Sequence, residues 1–261
     1  MSSTSLAPFP DVARPDSADA HPPYRFVAAL ALLGAALLTV GTVLHPAHAD
    51  PDSPAAAFAE YAGVGRGMWV AAHLLQLGGV AGLVLVVVLL ARVVNGTRGS
   101  AWARVATVLG TAGLATAAVL QAVDGVALKA VVDLWSDAAE ERSSLFAAAL
   151  AVRQVEIGLD ALFALLLAAA ILAFGIGLLT APNGSRGLGV LTVLAAGPAA
   201  VSGIALALSG FSAAAMLATT VSGVLALVWM LLTAVWSWRR AIIWHPRHSK
   251  ERSAPSPGSA S

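Results

Sequence analysis

Leu74–Val94 reads LLQLGGVAGLVLVVVLLARVV, twenty-one residues with a single charge, Arg92, close to its end. A bilayer core about 30 Å thick is crossed by roughly 20 apolar residues in a helix, so this stretch is long enough to span a membrane unaided. Five others match it: Phe26–Leu44, Ala103–Val123, Ala161–Thr180, Gly187–Leu208 and Ala213–Trp236. Lipid offers nothing to satisfy a bare backbone, so each is expected to be a helix. The period-two alternation of an outer-membrane barrel is missing. The fold class expected is all-α, a polytopic six-transmembrane-helix bundle. Its spans are placed at about 26–44, 68–94, 103–128, 145–180, 187–208 and 213–238, inside one membrane domain over residues 25–240.

Composition agrees. Hydrophobic residues make up 58% of the 261 and charged ones 11%, against about 25% charged in a soluble domain. The net charge of +1 gives no basic field for nucleic acid. Cysteine is absent, which rules out disulfides, thiolate metal sites and a cysteine nucleophile. Arg outnumbers Lys 13 to 2 and Ala is abundant, a pattern that reads as GC-rich bacterial coding. Residues 1–24 and the basic stretch 241–261 are rich in Pro, Ser and charge and are expected to be disordered cytoplasmic tails.

The charges between spans are sorted. Arg14, Arg25, Arg92, Arg98, Arg104, Arg186, Arg239, Arg240, Arg247, Lys250 and Arg252 fall on one side. Arg66, Lys129 and Arg142 share the other with Asp50, Asp52, Glu60, Asp133, Asp137, Glu140 and Glu141. Positive charge collects on the cytoplasmic face, so both termini are expected inside a plasma membrane. Trp69 and Trp135 then mark the outer boundary, and Trp102, Trp236, Trp238 and Trp244 the inner one. A rival reading takes Ala47-His48-Ala49 as a signal-peptidase pattern, which would leave five spans. The first apolar stretch is longer than a signal peptide needs, and a long polar segment precedes it.

Ser53-Pro54 fits a helix N-cap followed by proline at the first helical position, so a short helix is expected on the membrane surface, with Phe58 and Tyr61 on one face. The fourth span is expected to project several turns beyond the lipid. Glycines in the spans suit a tightly packed bundle, and a membrane partner or a second copy of the chain stays open as a further partner beside the lipid bilayer.

Polar residues gather at the outer ends of the first four spans. Arg153, Glu156 and Asp160 share one helical face, as do Gln121 with Asp124 and His73 with Gln76. His45 and His48 follow span one directly. Three carboxylates beside one fixed cation, Arg153, leave excess negative charge where water is scarce. Such a layer is stabilised by a proton, a cation or a protonated histidine. His45, His48, His73, Asp124 and Glu156 are ordinary ligand types for a divalent metal, the cofactor this layer could take. His73, Gln76, Gln121, Asp124, Arg153, Glu156 and Asp160 make up the wider candidate pocket.

Three readings stay open. The bland one has Arg153 paired with Asp124 or Glu156, His73 satisfied by a hydrogen bond, and the remainder facing water, since charge is cheap at span ends. The second is a cation or proton site for transport or sensing. The third is a membrane-embedded enzyme acting on a lipid or isoprenoid-like substrate, with His73 and a carboxylate as acid and base. No spacing matches H-E-x-x-H or another specific metal motif. A transmembrane haem pair is not expected, because His73 alone lies in or beside a span interior. Spans five and six offer only Thr192, Ser202, Thr219, Thr220 and Ser222, too few polar groups for a charged substrate to cross the whole bundle.

The order of parts is similar to an uncharacterised family of six-span bacterial membrane proteins, numbered 4386 among the domains of unknown function. The likeness is carried by a short helix in the first outer loop, an Arg-bearing second loop, an acidic third loop, the extended fourth helix with Glu156-Ile157-Gly158-Leu159, and the turn Arg186-Gly187-Leu188-Gly189-Val190-Leu191. It covers about residues 25–240. The proline usual before that arginine is absent here. The resemblance implies the layout and no activity.

Overall fold

The computed structural model describes residues 24–46, 50–182 and 184–251, with side chains to residue 243. The chain runs through α1 (Tyr24–Leu44), α2 (Pro54–Gly63), α3 (Arg66–Val94), α4 (Ser100–Ala122), a π-helical turn (Val123–Leu128), α5 (Lys129–Asp137), α6 (Arg142–Thr180), α7 (Arg186–Ser209) and α8 (Ala213–Glu251). No strand occurs among the described residues. Six helices are long and apolar enough to cross a membrane: α1, α3, α4 with its continuation through α5, α6, α7 and α8. The molecule is thus a multi-pass, all-α protein of the integral membrane type.

The six long helices form a closed ring in the order α1, α3, α4, α6, α7, α8, with α8 returning to α1. Its centre is apolar, filled by Val86, Leu90, Phe174, Trp229 and Met230. Some polar groups there pair with one another, while the buried Thr233 and Ser237 hydroxyls have no hydrogen-bond partner among the described residues. Trp229 Nε1 donates to Thr192 Oγ1 at 2.7 Å, Thr192 Oγ1 donates to Leu188 O at 2.6 Å, and the Ser202 and Thr219 hydroxyls meet at 2.6 Å.

α6 has 39 residues, about 58 Å at 1.5 Å per residue, so roughly half of it projects past a 30 Å hydrocarbon core. The projecting part, with α5 beside it, makes a platform at the end of the bundle where α1 ends and α3 begins. α2 lies on that platform. Ser53 caps its first turn by accepting from Ala56 N, with Pro54 at the first helical position. Phe58 is 0% exposed and packs with Leu128, Val132, Trp135 and Ala149. The expected short helix forms, and its Phe58 face is turned into protein. Burial of that ring, if its alternative is water, stabilises the lid by about 2 kcal/mol.

Lys129, only 2% exposed, donates Nζ to Tyr61 O at 3.0 Å and pairs with Asp133. That contact fastens the C-terminal end of α2 to α5. Arg142 stacks over Trp135, 5.0 Å from the ring centroid.

Candidate functional site

Under the edge of α2, three side chains from three helical segments converge. His45 follows the last turn of α1, His73 sits in the second turn of α3, and Asp124 is the second residue of the π turn. His73 Nε2 is 2.8 Å from Asp124 Oδ2, and His45 Nε2 is 3.9 Å from the same oxygen. One ligand atom from each residue lies within 4.8 Å of the others.

The backbone explains this meeting. Gly41 lets α1 press onto α3: a Cβ there would come within 2.7 Å of Gln76 N and 2.8 Å of Ala72 O. The close crossing carries His45 over His73, with ring centroids 5.1 Å apart. Gly125 does the same on the other side, where a Cβ would sit 3.0 Å from His73 Cβ. The π turn widens the helix at Asp124, a feature often found at functional sites, and the turn is held by α3. Trp69 Nε1 donates to Asp124 O at 3.0 Å, while His73 Nδ1 donates to Trp69 O at 2.7 Å. With the His73–Asp124 contact these bonds close a loop between α3 and the π turn.

The ring nitrogens carry the chemistry. His73 faces two acceptors, a carbonyl at Nδ1 and a carboxylate at Nε2. A neutral imidazole has one N–H only, so satisfying both requires an added positive charge at Nε2, from a proton or a metal ion. His45 repeats the arrangement, with Nδ1 2.8 Å from Pro46 O and Nε2 towards Asp124. His73 is sealed at 1% exposure, whereas the side chains of His45 and Asp124 keep 24% and 15%, so the group reaches the protein surface on the His45 side.

A second polar group lies beside the first. Glu156 and Arg153, on α6, are 5% and 4% exposed. Glu156 Oε2, Arg153 Nη1 and Gln121 Oε1 are buried with no hydrogen-bond partner among the described residues. Glu156 is in electrostatic reach of Asp124, Arg153 and Asp160. The Tyr61 hydroxyl of α2 looks onto this region and is pushed well above its ordinary value, first by burial and then by the charges of Glu156, Asp124 and Glu60, with Arg153 opposing.

Several expectations change. Arg153 forms no ion pair with Asp124 or Glu156 among the described residues. Its guanidinium instead lies 5.7 Å from the Phe58 ring centroid and 5.2 Å from that of Phe211, and Nη2 donates to Pro51 O at 3.4 Å. Arg153 therefore clamps the lid and the α7–α8 turn. His73 is not the only histidine beside a span interior, since the α1–α3 crossing sets His45 against it. Gln76 packs at that crossing, its Cγ against Gly41. Asp160 is half-buried one turn further along α6. His48 and the Ala47-His48-Ala49 pattern lie outside the described residues.

Sequence reasoning missed Trp69, Tyr61, Gly125 and the Lys129–Asp133 pair. Trp69 lies four residues before His73, on the same helical face, and that spacing was the available signal. Comparison of the chain with protein-family models, with characterised proteins and with solved structures gives no match.

Proposed function

We propose that the protein is a plasma-membrane binding protein whose outward-facing pocket, built by α1, α3, the π turn and α6 under the α2 lid, takes up a cation or a proton for sensing. The observation that carries this reading is the His73 ring held between two acceptors, 2.7 Å from Trp69 O and 2.8 Å from Asp124 Oδ2. That geometry is complete only with positive charge added. The buried Glu156 and the half-buried Asp124 against one arginine favour the same occupant.

Sensing is supported over conduction. Inward from the site the buried side chains are apolar or carry only hydroxyls, of which those of Thr192 and Ser202 are bonded to their neighbours and those of Thr233 and Ser237 are not. A cavity of about 20 Å³ deep in the bundle, lined by Leu83, Leu167, Ile171 and Trp229 among others, has room for about one water and no charged group. The outward direction is supported by the arginine distribution, with both termini cytoplasmic.

Trp69 provides the test, since its indole is bonded to the site. The full chain is reconstituted in sealed liposomes, sorted by orientation through a C-terminal tag, and titrated from outside with acid and with divalent cations. Emission is expected to change where the termini lie inside, and the change to vanish in Trp69→Phe. Emission that stays flat under both titrants, or that changes only in liposomes of the opposite orientation, contradicts the reading.

A further inference from the structure

The geometry points to a first-row divalent metal of the zinc class as the occupant, held by His45 Nε2, His73 Nε2 and Asp124 Oδ2. This rests on the cation-binding reading above and names its ligand class.

Histidine can hold a metal only through a nitrogen with a free lone pair, and the other nitrogen then needs an acceptor for its N–H. Both histidines meet that demand in the same sense. His73 Nδ1 is on Trp69 O at 2.7 Å and His45 Nδ1 is on Pro46 O at 2.8 Å, so each ring is set in the tautomer that leaves Nε2 bare. Both bare nitrogens face one carboxylate oxygen. A proton satisfies one ring. Two protons would set two imidazoliums with ring centroids 5.1 Å apart. One divalent ion satisfies both rings and the carboxylate together.

Distances fit after a small adjustment. Metal–nitrogen bonds of about 2.0 Å in a tetrahedron put ligand atoms about 3.3 Å apart. The pairs with Asp124 stand at 2.8 and 3.9 Å, and all three atoms lie within 4.8 Å. His45, partly exposed after the end of α1, is the ligand with room to move. Two imidazoles with one carboxylate suit zinc, cobalt, nickel or copper, whereas calcium and magnesium prefer all-oxygen shells.

A second observation is independent of the triad. Glu156 Oε2 is buried without a hydrogen-bond partner and stands in electrostatic reach of Asp124. With an ion in place its charge is compensated, and it can accept a hydrogen bond from a water in the fourth position. Asp124 is held from behind by Trp69, through the carbonyl of the same residue. Such outer support is what orients metal ligands.

The test uses the full purified chain in detergent, stripped with a chelator and titrated with zinc by calorimetry and with cobalt by visible absorption. The expected result is one ion per chain and the intense visible bands of four-coordinate cobalt. His45→Ala and His73→Ala are each expected to weaken binding by at least about 100-fold, more than the 10–100-fold typical of losing an outer partner. Asp124→Asn, which keeps the side-chain shape, guards against loss by misfolding and is expected to weaken binding while helical content stays unchanged. Absence of a stoichiometric site, or variants that bind as tightly as the parent, overturns the assignment. If zinc and cobalt fail while external acid still changes Trp69 emission, the metal class is wrong and the proton form of the pocket stands. If neither titrant acts, both readings fall.

Discussion

Trp69 and Asp124 are 55 residues apart in sequence, yet the indole of one donates to the backbone carbonyl of the other at 3.0 Å. This bond fixes the π turn to α3, and the turn in fixed position presents the Asp124 carboxylate to two histidines. Site and lid therefore depend on contacts between different helical segments, and each can be tested separately.

Replacing His73 by Ala removes the group that spans Trp69 O and Asp124 Oδ2. It leaves a carboxylate with 15% exposure without its imidazole partner. The cost expected is roughly 2–3 kcal/mol, at or below the low end for losing one partner of a buried pair because Asp124 keeps some water contact. Chemical unfolding of the solubilised protein measures it, and a change below about 0.5 kcal/mol would mean that the His73–Asp124 contact is not made.

Gly125→Ala places a methyl 3.0 Å from His73 Cβ and 3.1 Å from Cγ. The ring must shift by a few tenths of an ångström, which loosens its hold on Asp124 and leaves the spans intact. Metal affinity is expected to drop by about 10-fold, within the range for disturbed outer support, with circular dichroism unchanged. Affinity equal to that of the parent chain would show that the ring position does not matter.

Phe58→Ala empties the central position of the cluster under α2. Large-to-small changes at a fully buried phenylalanine cost about 3 kcal/mol or more. Because α2 is a separate short helix, the loss is expected to appear as local opening, not as global unfolding. Hydrogen exchange across Pro54–Gly63 should quicken by about 100-fold while amides in α3 and α6 keep their protection. Equal loosening of all three would show that lid and bundle form one cooperative unit.

Tyr61 gives a pH dependence with a definite sign. Burial first, and then the Glu156, Asp124 and Glu60 charges, favour its neutral hydroxyl and raise it above the ordinary 10.0. The folded chain thus holds this proton more tightly than the unfolded one. The stabilisation is present below pH 10 and is lost as pH rises above it. Tyrosinate absorbance of the parent chain minus that of Tyr61→Phe should show no ionisation at pH 10, and α2 should loosen only above that value. Ordinary titration at pH 10 would place Tyr61 in open water.

The six spans were legible because lipid imposes one rule along the chain: about 20 apolar residues, all helical. The long reach of α6 and the cap at Ser53 were legible for similar local reasons. The partners across the site were not. Helical spacing set His73, Asp124 and Glu156 at one depth but could not show that Gly41 brings α1 close enough to bring His45 to His73. Nor could it show the π turn, whose register depends on the Trp69 bond. One of the three sequence readings pairs Arg153 with a carboxylate, because opposite charges attract. Arg153 lies instead over Phe58 and Phe211, where a weakly hydrated guanidinium can stack on rings, and Asp124 is left to His73.

The central claim is that His45, His73 and Asp124 hold one cation together. X-ray absorption at the zinc edge of the full chain loaded with one equivalent tests it most directly. The prediction is a four-coordinate nitrogen and oxygen shell at about 2.0 Å, with the outer scattering of two imidazoles, reduced to one in His45→Ala. A six-coordinate oxygen shell without imidazole, or two imidazoles kept in that variant, would contradict it.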